Sequence, residues 1–66
     1  MAPRTRLLRL PEVEQVSGLK KSAIYQRAKE GSFPRPIKIG TRNVAWIESE
    51  VDGWVAARVA EARGAA

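Results

Sequence analysis

Two groups of polar residues in this chain have the types and spacing to do chemistry. The first is Lys21, Ser22, Gln26 and Lys29, within KKSAIYQRAKEG. On a helix turning about 100° per residue, with Ile24 facing a core, Ser22, Tyr25, Gln26 and Lys29 fall on the outward side. Lys21 flanks them near the N-terminal end. Lysine meets phosphate or a guanine edge, glutamine makes a paired hydrogen bond to an adenine edge, and serine serves either. The second group is Arg35, Lys38, Thr41 and Arg42, within FPRPIKIGTRN. An arginine at a hairpin tip enters a minor groove or clamps phosphate. Basic residues also guard an edge strand against unwanted pairing. Both sets suit recognition of a polyanion.

Some flanking residues leave two readings open. The Tyr25 hydroxyl reaches a phosphate, or its ring packs on the core edge. Arg27 projects sideways and anchors backbone phosphate or pairs with an acid. Arg4 and Arg6, in a basic N-terminal arm, lie along DNA or form a solvated tail.

The elements that must hold these groups are short and strongly punctuated. Residues 1–6 read as a flexible basic arm, 7–62 as one domain and 63–66 as a fraying tail. Leu7, Leu8 and Leu10 suit a short strand. Pro11 fits the first turn of a helix, where a missing N–H costs nothing, and Glu12 and Glu14 favour its positive end. Val13 and Val16, three apart, are expected to point inward. Gly18 ends this helix and Leu19 anchors the turn. A second helix runs from Lys20 or Lys21 to Lys29 or Glu30, with Ile24 and Ala28 on its core side, Ala23 flanking and Gly31 as its stop. Lys20 stands where a Ser, Thr or Asp cap is usual, so a frayed start or a cap from Ser22 is expected.

Phe33-Pro34-Arg35-Pro36 is an extended lead-in. Ile37 and Ile39 alternate with Lys38 as a half-buried strand, Gly40-Thr41-Arg42-Asn43 turns, and Val44-Ala45-Trp46 returns. A last helix runs from Glu48 or Ser49 to about Ala62, with Ile47, Val51, Trp54, Val55 and Val59 on one stripe. Gly53 in mid-helix costs about 1 kcal/mol against alanine; it either permits close packing under Trp54 or has no packing role. Trp46 and Trp54 are expected in the core rather than as stacking platforms, and Phe33 is expected to fill the junction between the second helix and the wing. The result is a mainly α fold with a small β-hairpin: a winged helix-turn-helix.

Composition narrows the function further. The 66 residues allow one small core, with no Cys for disulfides or thiolate metal sites and no His for proton transfer or zinc. No cofactor or metal is expected. The start, MAPRTRLLRL, is basic with no long apolar segment after it, so neither a signal peptide nor a membrane span is expected, and a cytoplasmic setting fits. The net charge of +5 is lopsided. Residues 1–42 hold ten Lys/Arg and three Glu, a balance of +7, whereas residues 43–66 hold two Arg and four acids, a balance of −2. A basic face backed by a near-neutral end favours a polyanion: DNA, RNA or an anionic membrane surface. Enzyme readings fare badly. Glu48, Glu50 and Asp52 look like helix-start acids, and no phosphate loop or nucleophile with its base accompanies them.

At this level of detail, residues of about 6 to 60 resemble a known family. The features are Leu8–Leu10, Pro11-Glu12-Val13, Gly18-Leu19, Ser22 with Ile24-Tyr25, Gly31 with Phe33-Pro34, Pro36 with Lys38, Gly40, Trp46, and Ser49-Glu50-Val51-Asp52 through Trp54. Together they resemble the AlpA-like regulators of prophages and genomic islands, which belong with excisionase-type and MerR-like winged helix-turn-helix domains. The resemblance implies a DNA-binding protein of a mobile element. It would act as a transcriptional regulator, or as an excision directionality factor that assists an integrase. It maps a recognition helix onto Lys20–Glu30 and a wing onto Ile37–Trp46. Lys20 departs from the small capping residue usual in relatives, and an extra cation there favours phosphate contact over base reading. Double-stranded DNA is the expected partner. An integrase, RNA polymerase, a second copy or a cooperative array on DNA are candidates to add to it. A reading from another class is an interaction adaptor that kept the fold and lost DNA; charge reversal at Lys21 and Lys29 would leave such a protein active. RNA binding ranks below these, because Tyr25 alone suits an exposed stacking aromatic.

Overall fold

The structure, a computed structural model, describes residues 5–64. The chain runs β1 (Leu7–Leu8), α1 (Leu10–Ser17), α2 (Lys21–Glu30), β2 (Ile37–Lys38), β3 (Val44–Ile47) and α3 (Glu48–Gly64). Among the described residues, no helix is long and apolar enough to cross a membrane.

Local chemistry accounts for the ends of α1. Pro11 lies in the first turn, where its lack of an N–H breaks no helical bond. Glu12 Oε1 accepts from the Arg9 N–H at 3.1 Å, closing one orphan donor. At the other end Gly18 takes φ 76° and donates to the Glu14 carbonyl at 2.9 Å. Ser17 Oγ donates to the Val13 carbonyl at 2.7 Å and accepts from the Leu19 N–H at 3.2 Å, fixing the exit of the chain.

The hairpin expected from Ile37 to Trp46 is present, and a third strand joins it. β3 is central, with β1 and β2 antiparallel on either side. Leu7 pairs with Ile47 and Leu8 with Trp46, while Ile37 pairs with Ala45 and Lys38 with Val44. The Glu48 N–H donates to the Arg6 carbonyl at 2.8 Å, extending the β1 ladder to the start of α3.

Partners in this register share a face. Leu8, Val44 and Trp46 therefore point one way, and Leu7, Ile37, Ala45 and Ile47 the other. Leu8 and Trp46 meet Val13, Ile24, Phe33 and Val51 in the core, with Leu10, Leu19, Val44 and Trp54 packed around them. The helices thus cover one face of the sheet. This corrects the expectation for β2: Ile37 and Ile39, expected on the buried side of a half-buried strand, are exposed, although Ala45, the partner of Ile37, is fully buried.

Both tryptophans are structural, as expected. Trp46 is fully buried, and its Nε1–H donates to the Pro34 carbonyl at 3.1 Å. Trp54 donates to the Ser32 carbonyl at 2.7 Å and packs edge-on to Phe33 with centroids 4.9 Å apart. Arg58 lies over the Trp54 ring at 5.2 Å and pairs with Glu61. These contacts hold the α2–β2 connection against α3.

Two core expectations do not hold. Val13 is fully buried, but Val16 is 43% exposed. A three-residue step turns about 300°, and the inward side of this short helix runs through Leu10, Val13 and Ser17, leaving Val16 to one side. In α3, Val51 is buried and Trp54 and Val55 half-buried, but Val59 is 43% exposed. The helix is 17 residues long and continues through Gly64, past the expected end near Ala62. Every residue of α3 from Ala56 onward is exposed, because the small body of the molecule ends before the helix does. A Cβ at Gly53 would meet no other segment of the chain within 4 Å, so no close approach by another element depends on it.

Candidate nucleic-acid interface

α2 is pinned at both ends, which fixes the side it turns outward. A three-residue turn, Gly18-Leu19-Lys20, carries the chain from α1 into it. Ile24 is fully buried and Ala28 nearly so. At the C-terminus Gly31 adopts φ 87° and donates to the Ala28 carbonyl at 3.2 Å, and the Ser32 N–H reaches the Arg27 carbonyl at 2.9 Å. Arg35 Nε also donates to the Ala28 carbonyl, at 3.3 Å. Arg35, expected in the wing, is thus partly engaged in closing α2.

With that register fixed, Lys21, Ser22, Gln26 and Lys29 are all exposed. Gln26 lies nearly opposite Ile24 at about 200° around the helix. The Tyr25 ring meets the Trp46 ring edge-on at 5.8 Å, and the side chain remains 38% exposed. Arg27 is exposed on the flank and, among the described residues, pairs with no acid.

The start of α2 is electrostatically distinctive. Lys20 is the N-cap residue, in extended backbone at φ −90° and ψ 167°, and no side chain caps the helix. Ser22 does not take over that role. The first turn contains no acid either. Its free N–H groups, the positive helix end and the ammonium groups of Lys20 and Lys21 all favour an anion there.

Lys38, Thr41 and Arg42 are exposed along the β2–β3 hairpin, with Arg42 in its turn. The turn is closed by the Ile39 N–H donating to the Asn43 carbonyl at 2.9 Å, and Asn43 Oδ1 accepts from the Arg9 guanidinium at 3.3 Å. Among the described residues, Arg42 makes no ion pair.

The arm is placed only in part. Arg4 lies outside the described residues. Arg6 is not a free arm residue: its guanidinium stands 3.2 Å from Glu48 and 3.8 Å from Glu12, so it ties β1 to the starts of α3 and α1. Glu48, one of the acids examined for catalysis, is thereby occupied by a cation.

Two residues that the sequence reading had not assigned to the site also belong to this surface. Ala23 and Glu30 join Gln26 and Arg27 around a notch of about 250 Å³ on α2. Gln26 Nε2 donates to Glu30 Oε2 at 3.5 Å. The spacing was available in the sequence: Ala23, Arg27 and Glu30 follow i, i+4, i+7, and Gln26 and Glu30 are four apart.

Three helices, a small antiparallel sheet, an outward helix face carrying Lys21, Gln26 and Lys29 and a basic hairpin tip are together consistent with a small DNA-binding domain. The chain belongs to the AlpA family of prophage regulatory proteins: the pattern of the family described as "Prophage CP4-57 regulatory protein (AlpA)" matches residues 6–59. It is 47% identical to the uncharacterized protein ORF88 of Enterobacteria phage P4, over 83% of this chain and 62% of that protein. The chain therefore spans about three fifths of the length of that relative. It is 36% identical to the DNA-binding transcriptional activator AlpA of Escherichia coli (strain K12), over 80% of this chain and 84% of that protein.

Proposed function

We propose that this chain is a sequence-specific DNA-binding regulator of transcription belonging to a mobile element. In this reading α1 and α2 are a helix-turn-helix and the β2–β3 hairpin is its wing. α2 enters the major groove with Lys21, Ser22 and Gln26 toward the base edges. Lys20, Lys29 and Arg27 meet phosphates, and Lys38, Thr41 and Arg42 grip the flanking backbone or minor groove.

The observation that carries the reading is the outward side of α2. Its polar, cationic residues stand opposite the buried Ile24 and Ala28, on a helix whose N-terminus lacks a cap. A phosphate supplies what the missing cap does not. The name of the Escherichia coli relative, a DNA-binding transcriptional activator, supports the same conclusion.

One ten-residue helix and one hairpin tip make a small interface. A second copy on adjacent DNA, RNA polymerase or an integrase supplies the remaining specificity. Such a regulator works in the cytoplasm, on the nucleoid.

The test is selection of bound fragments from genomic DNA at near-physiological salt, followed by a salt titration on the best fragment. A defined site beside a promoter, with affinity falling steeply as salt rises, supports the regulator. A site at an attachment sequence would move the assignment to excision. No enrichment above bulk DNA would overturn DNA reading by this chain alone.

A further inference from the structure

Gln26 is not the only group on α2 with a base-reading geometry. The notch beside it has an alanine between polar walls. Ala23 lies three and four residues before Gln26 and Arg27, so those side chains stand on either side of its methyl group. Glu30, one turn beyond Gln26, closes the end. In unmodified DNA, thymine alone presents a methyl group in the major groove, and alanine is a recurrent apolar partner for it.

The Gln26–Glu30 hydrogen bond sets the amide beside this notch. It uses one of the two amide hydrogens, leaving the other hydrogen and Oε1 free. Oε1 and the amide hydrogen on the same edge form the donor–acceptor pair that meets adenine N6 and N7. Glu30 places its carboxylate beside Gln26, at the end of the notch.

We propose that the notch over Ala23 takes the 5-methyl group of a thymine beside the adenine held by Gln26. This rests on the placement of α2 in the major groove. It adds a specific atom to that placement: the protein prefers an adjacent thymine because of its methyl group, not because of its hydrogen-bonding edge.

The probe is the best genomic fragment with each thymine replaced in turn by deoxyuridine, which removes the methyl group and leaves the pairing edge intact. Affinity is read by fluorescence anisotropy. One position is expected to weaken by about fourfold, the value of burying one methyl group. Ala23→Ser, which changes the floor, and Ala23→Leu, which fills the notch, are both expected to erase that difference. Thermal melting of each variant checks that it is folded. The proposal is overturned if no thymine is sensitive, or if the sensitivity survives in both variants. Failure of the parent protein to prefer any fragment over bulk DNA would overturn the major-groove placement and this inference together.

Discussion

Arg42→Ala separates a DNA contact from a structural one. Arg42 stands exposed in the hairpin turn and, among the described residues, makes no ion pair. Its removal is therefore expected to change folding stability by less than about 0.5 kcal/mol. If its guanidinium neutralises one phosphate, the slope of log affinity against log salt becomes shallower by about 0.9. The loss in affinity then depends on salt: about eightfold at 0.1 M and about threefold at 0.3 M, vanishing toward 1 M. The assay is anisotropy of a labelled fragment across a potassium chloride series, beside thermal melts of parent and variant. Arg63→Ala is the control, because Arg63 lies in the last turn of α3, away from the hairpin; it should leave the slope unchanged. A loss that stays constant with salt, or an unchanged slope, would refute phosphate contact at the hairpin tip.

Four further outcomes follow from the geometry. Val13→Ala should cost about 2 kcal/mol or more, a large share of the roughly 5 kcal/mol expected for a domain of this size, whereas Val16→Ala should stay within about 0.5 kcal/mol; urea unfolding compares them. Gly53→Ala should stabilise the protein by about 1 kcal/mol, read as a rise in melting temperature, because the added methyl group meets open space on a helix. Lys20→Ser should stabilise α2 by about 1 kcal/mol by supplying the missing cap, yet bind DNA less tightly at low salt. Gln26→Ala should change base preference more than overall affinity; a variant that selects the same sites with the same discrimination would remove Gln26 from the reading surface.

Much of the candidate interface is legible in the sequence because its causes are local. Gly18 and Gly31 end helices in left-handed backbone, and Pro11 opens one, by conformational preferences that need no distant partner. The spacing of Ile24 and Ala28 sets the inward side of α2 and so turns Ser22, Gln26 and Lys29 outward. The missing cap at Lys20 was equally plain, since a lysine accepts no hydrogen bond. The notch over Ala23 is not legible from spacing alone, because a small residue next to the core resembles filler until the walls around it are known.

Family membership and the order of helices, turn and hairpin were thus determined by the sequence itself, since they depend on residue type and separations of a few positions. Only the tertiary structure decided which apolar residues are buried. Val13 and Val16, or Val51 and Val59, are equivalent in type; what differs is whether another element covers them. The same holds for Ile37 and Ile39, which are exposed while Ala45, across the ladder from Ile37, is fully buried. Arg6 became a tether rather than an arm because β1 pairs with β3, bringing it to Glu48, 42 positions further along the chain. Such outcomes turn on contacts between remote segments, which no local preference encodes.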